Sequence, residues 1–231
     1  WYLDTVRAQT AWNVTTGSRA VVVAVLDSGT AIAHPDLAAN VWTNSGDASV
    51  NGVDDDGNGF IDDVHGWDFL QDSADPSPKF DAGWTDTGMQ HGTVVAGVIG
   101  AVGNNGQGIA GVNWSVSVMP LRVLNGAGVG DTRAVADGVR YAVDNGADFI
   151  NLSFVGTVSD STLADMLDYA YQRGVVVFAA AGNESTNLNT DPRYPVCEGN
   201  VVGVTATDTS DHRLSVTLSS GATLGSNYGS S

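Results

Sequence analysis

Residues 21–30 read Val-Val-Val-Ala-Val-Leu-Asp-Ser-Gly-Thr, and this stretch decides the fold class. Six apolar residues in succession are typical of a strand that is buried on both faces of a parallel sheet. An acid, Asp27, follows the strand directly, and small turn-forming residues come after it. Open α/β sheets place their ligand chemistry at the carboxyl ends of such strands, so Asp27 is the first candidate functional residue.

Further apolar runs of the same kind follow along the chain, with helical patterns between several of them. The predicted strands are 21–26, 117–123, 148–152, 175–180 and 200–206. The predicted helices are 5–13, 91–101, 131–145 and 160–173. This alternation predicts an α/β fold, a three-layer αβα arrangement around a mainly parallel central sheet. We expect one domain over residues 1–231, with long functional loops in the segment 40–90.

Charge and composition limit the classes of partner. The formal net charge is −17, and only nine residues are basic. Nucleic acids and anionic membranes both require basic patches, so neither is an expected partner. No apolar run approaches the roughly 20 residues that span a bilayer. An acid-rich surface suits a secreted protein whose charges are offset by bound cations, although an ordinary solvated surface explains most of these residues. The single cysteine, Cys197, cannot form an internal disulfide and is interpreted as a packing residue.

Two further polar residues follow Asp27 in phrases of small side chains. His91 opens His91-Gly92-Thr93-Val94-Val95-Ala96-Gly97, and Asn183 closes Ala179-Ala180-Ala181-Gly182-Asn183. Acyl transfer needs a base, a carboxylate that orients the base, and a donor to the developing oxyanion. Each residue also has a simpler interpretation: Asp27 as a helix cap or cation ligand, His91 as a histidine satisfied by backbone, and Gly182-Asn183 as a turn.

Taken together, these three phrases resemble the subtilisin-like serine proteases, and the resemblance covers nearly the whole chain. Further phrases in family order are His34-Pro35-Asp36-Leu37, Gly108-Ile109-Ala110-Gly111-Val112, Met119-Pro120-Leu121-Arg122, Asn151-Leu152-Ser153-Phe154 and Ser226-Asn227-Tyr228-Gly229. The resemblance implies that His91 is the general base and acid, Asp27 its orienting carboxylate and Asn183 the oxyanion donor. Two positions depart from the family pattern: Val94 replaces a second histidine, and Gln90 replaces a glycine.

The resemblance also implies a cleft for protein or peptide substrates. Ser153, Phe154, Val155 and Gly156 would pair with one side of an extended peptide, and the Gly126–Gly130 loop, including Gly128, would pair with the other side. Ala180 and Gly182 are small enough to leave room for a substrate side chain beside Asn183. A propeptide or inhibitor is a further expected partner, and we expect a monomer.

The nucleophile of this family lies in a Gly-Thr-Ser-Met-Ala-like phrase, and the 231 residues contain no such phrase. In the family it lies several tens of residues beyond the phrase matched by residues 226–229. We therefore expect a catalytic domain that is C-terminally incomplete. Because removing the serine costs about as much as removing the whole triad, we expect this chain alone to be inactive.

The segment 54–63 predicts a calcium site. Asp54, Asp56, Asn58, the Phe60 carbonyl and Asp62 match loop positions 1, 3, 5, 7 and 9 of a calcium loop, with Gly59 at the turn. Position 12 is His65 instead of glutamate, so we expect Asp63 to supply a carboxylate. A solvated acidic turn is the alternative, but five aspartates in ten residues repel one another without a cation. The family resemblance adds a second calcium site at Asp36 and Asn105.

Two other functions compete with proteolysis. A dinucleotide-binding oxidoreductase would share the fold class, and Gly126-Ala127-Gly128-Val129-Gly130 follows a predicted strand. The spacing lacks the third glycine, however, and no acid ends a strand about 20 residues later. A non-catalytic, calcium-dependent extracellular binding domain would accommodate the absent serine.

Overall fold

β1 (Gly17–Asp27) is the strand predicted from residues 21–26, and it lies in the middle of the sheet. The computed structural model describes residues 2–219, 221 and 223–229. The other sheet strands are β2 (Trp67–Asp68), β3 (Ser115–Arg122), β4 (Phe149–Leu152), β5 (Val176–Ala180) and β6 (Val201–Val204). Their order is β2-β3-β1-β4-β5-β6, and every pairing is parallel. The predicted α/β fold with a parallel central sheet is therefore confirmed.

Helices cover the two faces of this sheet, as a three-layer arrangement requires. The helices are α1 (Tyr2–Thr5), α2 (Ala8–Ala11), α3 (Asp86–Gly100), α4 (Thr132–Asp144) and α5 (Ser161–Gln172). Leu26 of β1 packs into one core with α4 and α5, whereas Val25 packs with Ala96 of α3 into a second core. This alternation follows from the twofold period of strand side chains. β1 is thus buried on both faces, as its apolar run predicts.

Aspartate side chains cap two of the predicted helices. The Asp131 carboxylate accepts the Ala134 backbone N–H at 2.8 Å at the start of α4. Asp160 caps α5 in the same way through Thr162 and Leu163. A side-chain acceptor at this position satisfies N–H groups that have no partner within the helix.

The predicted start of a helix at His91 is wrong. α3 begins at Asp86, and the Thr85 hydroxyl caps it by accepting the Gly88 N–H at 2.9 Å. The first turn has a loop-like composition, but the Thr85 cap starts the helix before its apolar face begins. His91 consequently lies inside α3, beyond its first turn.

Other boundaries also differ from the prediction. The expected helix 5–13 is two short helices, α1 and α2, because Arg7 adopts a left-handed backbone conformation with φ of 55° between them. The segment 40–90 contains β2 and the first turn of α3. A hairpin of β7 (Ser215–Thr217) and β8 (Thr223–Gly225) was not expected. In the part of the chain that the structure describes, no helix is long and apolar enough to cross a bilayer.

One half of the sheet has an uncovered apolar face. Phe178 pairs with Val202, and Ala180 pairs with Val204, so these side chains share the face that carries Asn151 and Val25. Under α3 this face is buried, but on the outer strands Val176, Val202 and Val204 are 38%, 45% and 50% exposed. Exposed valines on two neighbouring strands of a parallel sheet indicate a surface that another segment packs against.

Candidate active site

The structure brings Asp27 and His91 together at the carboxyl end of β1. His91 Nδ1 lies 2.8 Å from Asp27 Oδ1 and 2.9 Å from Asp27 Oδ2. The Asp27 side chain is 1% exposed, whereas the His91 side chain is 41% exposed. A buried acid therefore orients an imidazole whose other face is open to a ligand.

Local hydrogen bonds hold the second turn of α3 against the end of β1. The Ser28 hydroxyl accepts the Gly92 N–H at 3.2 Å, and the Thr93 hydroxyl accepts the Ala31 N–H at 3.0 Å. Asp27 Oδ1 also accepts the Ser28 N–H at 2.7 Å. The residues around the pair thus fix the position of both partners.

The hydrogen bond with Asp27 raises the pKa of His91 above its usual value, because the carboxylate stabilises the imidazolium. Partial burial of the ring acts in the opposite direction and is the smaller effect, and the charge of Asp27 adds to the rise. The arrangement favours a histidine that takes up a proton while its Nδ1–H stays bound to the acid.

A cleft beside the pair is lined by several of the residues predicted to bind substrate. A cavity of about 160 Å³ lies against Asp27 and His91 and also touches Gly128, Ser153 and Phe154. A second cavity, of about 250 Å³, shares Gly128 and Phe154 and adds Val155 and Gly156. The first of these cavities touches both predicted sides of the cleft beside His91.

Asn183 lines a third cavity, of about 230 Å³, together with Ser153, Ala180 and Gly182. Ser153 also lines the cavity beside His91, so the two spaces adjoin. Asn183 follows β5 and is exposed to solvent. The seven predicted substrate-binding residues and the three predicted catalytic residues therefore line three cavities that share wall residues.

The loop that carries Asn183 is held by a buried residue that sequence reasoning did not single out. Asn227 is completely buried, and its Oδ1 accepts the backbone N–H groups of Glu184 and Thr186. Its Nδ2 donates to the Ala181 carbonyl at 2.9 Å. The phrase 226–229 resembles the family pattern, but the burial of Asn227 cannot be read from the sequence.

Arg122 is a second unexpected residue, and it is also completely buried. It ends β3 opposite Asp27, and its guanidinium bonds to Asp68 and Asp81. Asp81 also accepts the Gly126 N–H at 2.8 Å, so this ion-pair network anchors the start of the Gly126–Gly130 loop. The sequence signal for Arg122 is that a charged residue stands at the end of an apolar strand.

The predicted calcium loop is folded around its own acids. The Asp54 carboxylate accepts backbone N–H groups of Gly57, Asn58 and Gly59, which lowers the pKa of Asp54. Asn44, which lies outside the loop, donates from Nδ2 to Asp56 and Asp63 at 2.8 and 2.6 Å. The structure therefore brings Asp56, Asn58 and Asp63 near one another through shared amide contacts.

One member of the predicted loop points elsewhere, since the Asp62 carboxylate accepts the N–H groups of Asn51 and Gly52. The Phe60 ring packs against Trp67 and Tyr141, whereas the predicted ligand of Phe60 is its backbone carbonyl. His65 Nδ1 lies 2.9 Å from the Trp42 carbonyl oxygen. Within residues 2–219, 221 and 223–229, no three His, Cys, Asp or Glu side chains are arranged to hold a metal. The calcium site thus stays a prediction.

The second predicted calcium site has its two side chains in contact. Asn105 Nδ2 donates to Asp36 Oδ1 at 2.7 Å, and Asp36 Oδ2 accepts the Ile109 N–H at 2.9 Å. Asp36 is buried. These bonds connect Asp36 to the 102–109 loop, and the second calcium site stays a prediction.

A larger cavity lies away from the Asp27–His91 pair. It has a volume of about 670 Å³, and its walls include Phe60, Trp67 and Tyr141. Neither Asp27 nor His91 touches it, so its size does not make it the candidate active site.

Comparison with known proteins agrees with this geometry. Thermitase of Thermoactinomyces vulgaris is 38% identical over 210 residues, which cover 91% of this chain and 63% of that protein. The thermophilic serine proteinase of Bacillus sp. strain AK1 is 33% identical over 205 residues, covering 89% of this chain and 43% of that protein.

A solved structure of a protease from Pseudoalteromonas arctica PAMC 21717 superimposes with a TM-score of 0.66 at 33% identity. The match covers 86% of this chain and 59% of that one. The chain therefore spans less than two thirds of the length of each of these relatives. The sequence profile of the subtilase family matches residues 18–230, and the chain belongs to that family.

Proposed function

We propose that the protein is a serine endopeptidase in which His91 is the general base and acid, Asp27 orients it, and Asn183 binds the oxyanion. The observation that carries this proposal is the contact of 2.8 Å between His91 Nδ1 and the buried Asp27 carboxylate. Family membership supports it, because one relative is a thermophilic serine proteinase. Membership of the subtilase family leaves no support for the alternative of a dinucleotide-binding oxidoreductase.

The chemistry follows from the protonation states. With Nδ1–H bound to Asp27, Nε2 of neutral His91 takes the proton from a serine hydroxyl as the serine oxygen attacks the peptide carbonyl. The Asn183 side-chain amide donates a hydrogen bond to the resulting oxyanion. His91 then gives its proton to the leaving amine, the C–N bond breaks, and water repeats the sequence to release the acid.

The nucleophilic serine is proposed to belong to a segment outside residues 1–231. The uncovered apolar face of β5 and β6 supports this proposal, since Val202 and Val204 need a covering segment. That face lies on the α3 side of the sheet, the side on which His91 is located. A segment packed there can reach the cleft beside His91, and this chain without it is expected to be inactive.

Substrates are proposed to be extended peptides that lie between the Gly126–Gly130 loop and residues 153–156. The cavity that touches Gly128, Val155 and Gly156 is also lined by apolar side chains, namely Leu124, Val135, Val158 and Leu163. We therefore expect it to take an apolar side chain of the substrate. Ala180 and Gly182 are small, which leaves room beside Asn183 for a side chain next to the cleaved bond.

Calcium is proposed to stabilise the 54–63 loop and the Asp36–Asn105 contact, with no part in the chemical steps. Binding only to the folded state would stabilise it by mass action. A secreted location fits the net charge of −17, which bound cations would offset. A propeptide or inhibitor that occupies the same cleft, and a monomeric state, complete the proposal.

The test is peptide hydrolysis by the protein carrying His91→Ala, compared with His212→Ala. His212 is an exposed histidine distant in sequence from the pair, so its loss should leave hydrolysis unchanged. We expect His91→Ala to lower kcat by about 10⁴-fold or more without unfolding the protein. Equal activity of the two variants would contradict the proposal.

A second candidate is a non-catalytic calcium-binding domain, and the absence of a serine phrase within residues 1–231 favours it. If the protein binds calcium but shows no hydrolysis with any extended peptide, this second candidate is the correct one.

A further inference from the structure

Asp47 is a buried acid outside the predicted calcium loop. Its residue is 0% exposed, and its Oδ2 accepts the Asp62 backbone N–H at 2.9 Å. Its Oδ1 is buried without a hydrogen-bond partner in the described part of the chain. A buried carboxylate oxygen left without a partner is costly, so this atom requires an explanation.

The neighbours of Asp47 make its burial more costly. The charges of Asp55, Asp62 and Asp63 all act on it with the same sign. The ion pairs found among the described residues include no Lys, Arg or His bound to an acid of the segment 47–63. Acids that lie close together without a basic side chain require protons or a bound cation.

The segment that carries Asp47 lies directly against the acidic loop. Asn44 bonds to both Asp56 and Asp63, and a Cβ on Gly46 would lie 2.8 Å from Asp56 Cβ. No side chain fits between Gly46 and Asp56, so Asp47 is held beside the loop by a close backbone approach. Carboxylate oxygens are the donor type that Ca²⁺ prefers, and the unpartnered Oδ1 of Asp47 adds one to a segment already rich in them.

We propose that Asp47 is a direct ligand of the calcium ion held by the 54–63 loop, supplying from outside the loop the carboxylate missing at position 12. His65, which occupies that position, is turned toward the Trp42 carbonyl. Asp62, at position 9, is turned toward Asn51 and Gly52. Positions 9 and 12 of the loop therefore provide no side-chain ligand, and the Asp47 carboxylate takes the place of one of these ligands. The inference rests on the proposed calcium site and adds a residue to it.

The test is calcium titration of the chelator-treated protein by isothermal calorimetry, comparing the unmodified protein with Asp47→Asn, Asp54→Asn and Asp165→Asn. Loss of an outer-shell partner alone lowers metal affinity 10–100-fold, so loss of a direct ligand should weaken binding at this site by about 100-fold. Asp54→Asn should have a similar effect. Asp165 is an exposed acid on α5, and its replacement should leave the affinity unchanged.

Thermal melting distinguishes ligation from an ordinary structural role. In excess chelator, Asp47→Asn should melt at or above the temperature of the unmodified protein, because it removes a repelling charge and its amide oxygen still accepts the Asp62 N–H. In calcium it should melt lower. Melting lower by the same amount in both conditions, or a loss of folding in both, would overturn the inference.

The outcomes also separate this inference from the calcium site itself. If Asp54→Asn loses calcium binding and Asp47→Asn does not, Asp47 is not a ligand but the loop site stands. If the unmodified protein binds no calcium, both proposals fail.

Discussion

Gly92 and Gly29 approach so closely that a Cβ on Gly92 would lie 2.4 Å from the Gly29 carbonyl oxygen. The same Cβ would lie 2.9 Å from Asp27 Cβ. This close crossing of α3 over the end of β1 is what brings His91 within hydrogen-bond distance of Asp27. The small residue after His91 is therefore a condition for the pair, in addition to any room it leaves for a substrate.

Gly92→Ala and Gly97→Ala form a matched pair of substitutions within α3. Alanine is favoured over glycine in a helix by about 1 kcal/mol. At Gly97 the new Cβ would lie 3.6 Å from Ile109 Cδ1, an ordinary contact, so the free energy of unfolding should rise by up to about that amount. At Gly92 the clash should outweigh the gain and lower it by about 1–3 kcal/mol.

Urea unfolding of both variants checks this prediction, and hydrolysis should fall only for Gly92→Ala. If both alanines stabilise the protein equally, the crossing of α3 over β1 is looser than the structure indicates.

Asp27→Asn should lower kcat by about 10⁴-fold, the usual cost of losing the orienting carboxylate in a serine protease. The hydrogen bond with Asp27 raises the pKa of His91, and the base must be neutral to act. Activity of the unmodified protein should therefore fall as pH drops through this raised pKa. In Asp27→Asn the remaining activity should persist to lower pH, and a pH profile of kcat measures the shift. A profile whose acidic limb does not move would argue that the two side chains are not coupled.

The Asp27–His91 pair also contributes to the free energy of unfolding, and this contribution depends on pH. The folded-state pKa of His91 lies above the unfolded value of about 6.5. Protonated His91 is thus favoured in the folded state, and the contribution is fully present below the unfolded pKa and lost as pH rises through the folded pKa. The difference in unfolding free energy between the unmodified protein and His91→Gln should be larger at pH 5 than at pH 9. A difference that is larger at pH 9 than at pH 5 would contradict a raised pKa of His91 in the folded state.

Asn227→Ala should destabilise the loop that carries Asn183. It would leave the part-buried N–H groups of Glu184 and Thr186 without their acceptor, at a cost of about 1–3 kcal/mol. Ser159→Ala is a suitable control, since that side chain bonds to Glu198 in an exposed contact, and its loss should cost within about 0.5 kcal/mol. Chemical denaturation measures both values. An equal, small cost for the two substitutions would show that Asn227 does not hold the loop.

Chelation should lower the melting temperature. Calcium at 100 times its dissociation constant stabilises a folded protein by about 2.7 kcal/mol, which for a chain of this size corresponds to about 5–10 °C. Asp54→Asn should remove most of this difference, and replacing calcium with magnesium should restore little of it. Identical melting in calcium and in excess chelator would remove both proposed sites.

The sheet and its order of strands and helices were predictable because the apolar runs are long and the caps are explicit. The six apolar residues before Asp27 predict a buried strand, and Asp131 predicts the start of α4. The start of α3 was missed because Gly88 and Gln90 do not show the apolar period of a helix, although Thr85 caps it. Boundaries set by a single side-chain bond are harder to read than apolar patterns.

The site was predictable only in part, for a different reason. Asp27, His91 and Asn183 stand in phrases that carry their chemistry, so the sequence points to them directly. Asn227 and Arg122 act through burial, which is a property of the folded chain. Asp47 stands seven residues before the loop it contacts, outside any calcium-loop spacing, and only its unpartnered oxygen draws attention to it.

The most direct test of the proposed mechanism is labelling with a fluorophosphonate, which reacts with a serine activated by a neighbouring base. The intact protein should be labelled on one serine that lies outside residues 1–231, and His91→Ala should abolish the labelling. The 231-residue chain alone should remain unlabelled. Stoichiometric labelling of a serine within residues 1–231, or labelling that persists in His91→Ala, would contradict the assignment of Asp27 and His91 as the base and its orienting acid.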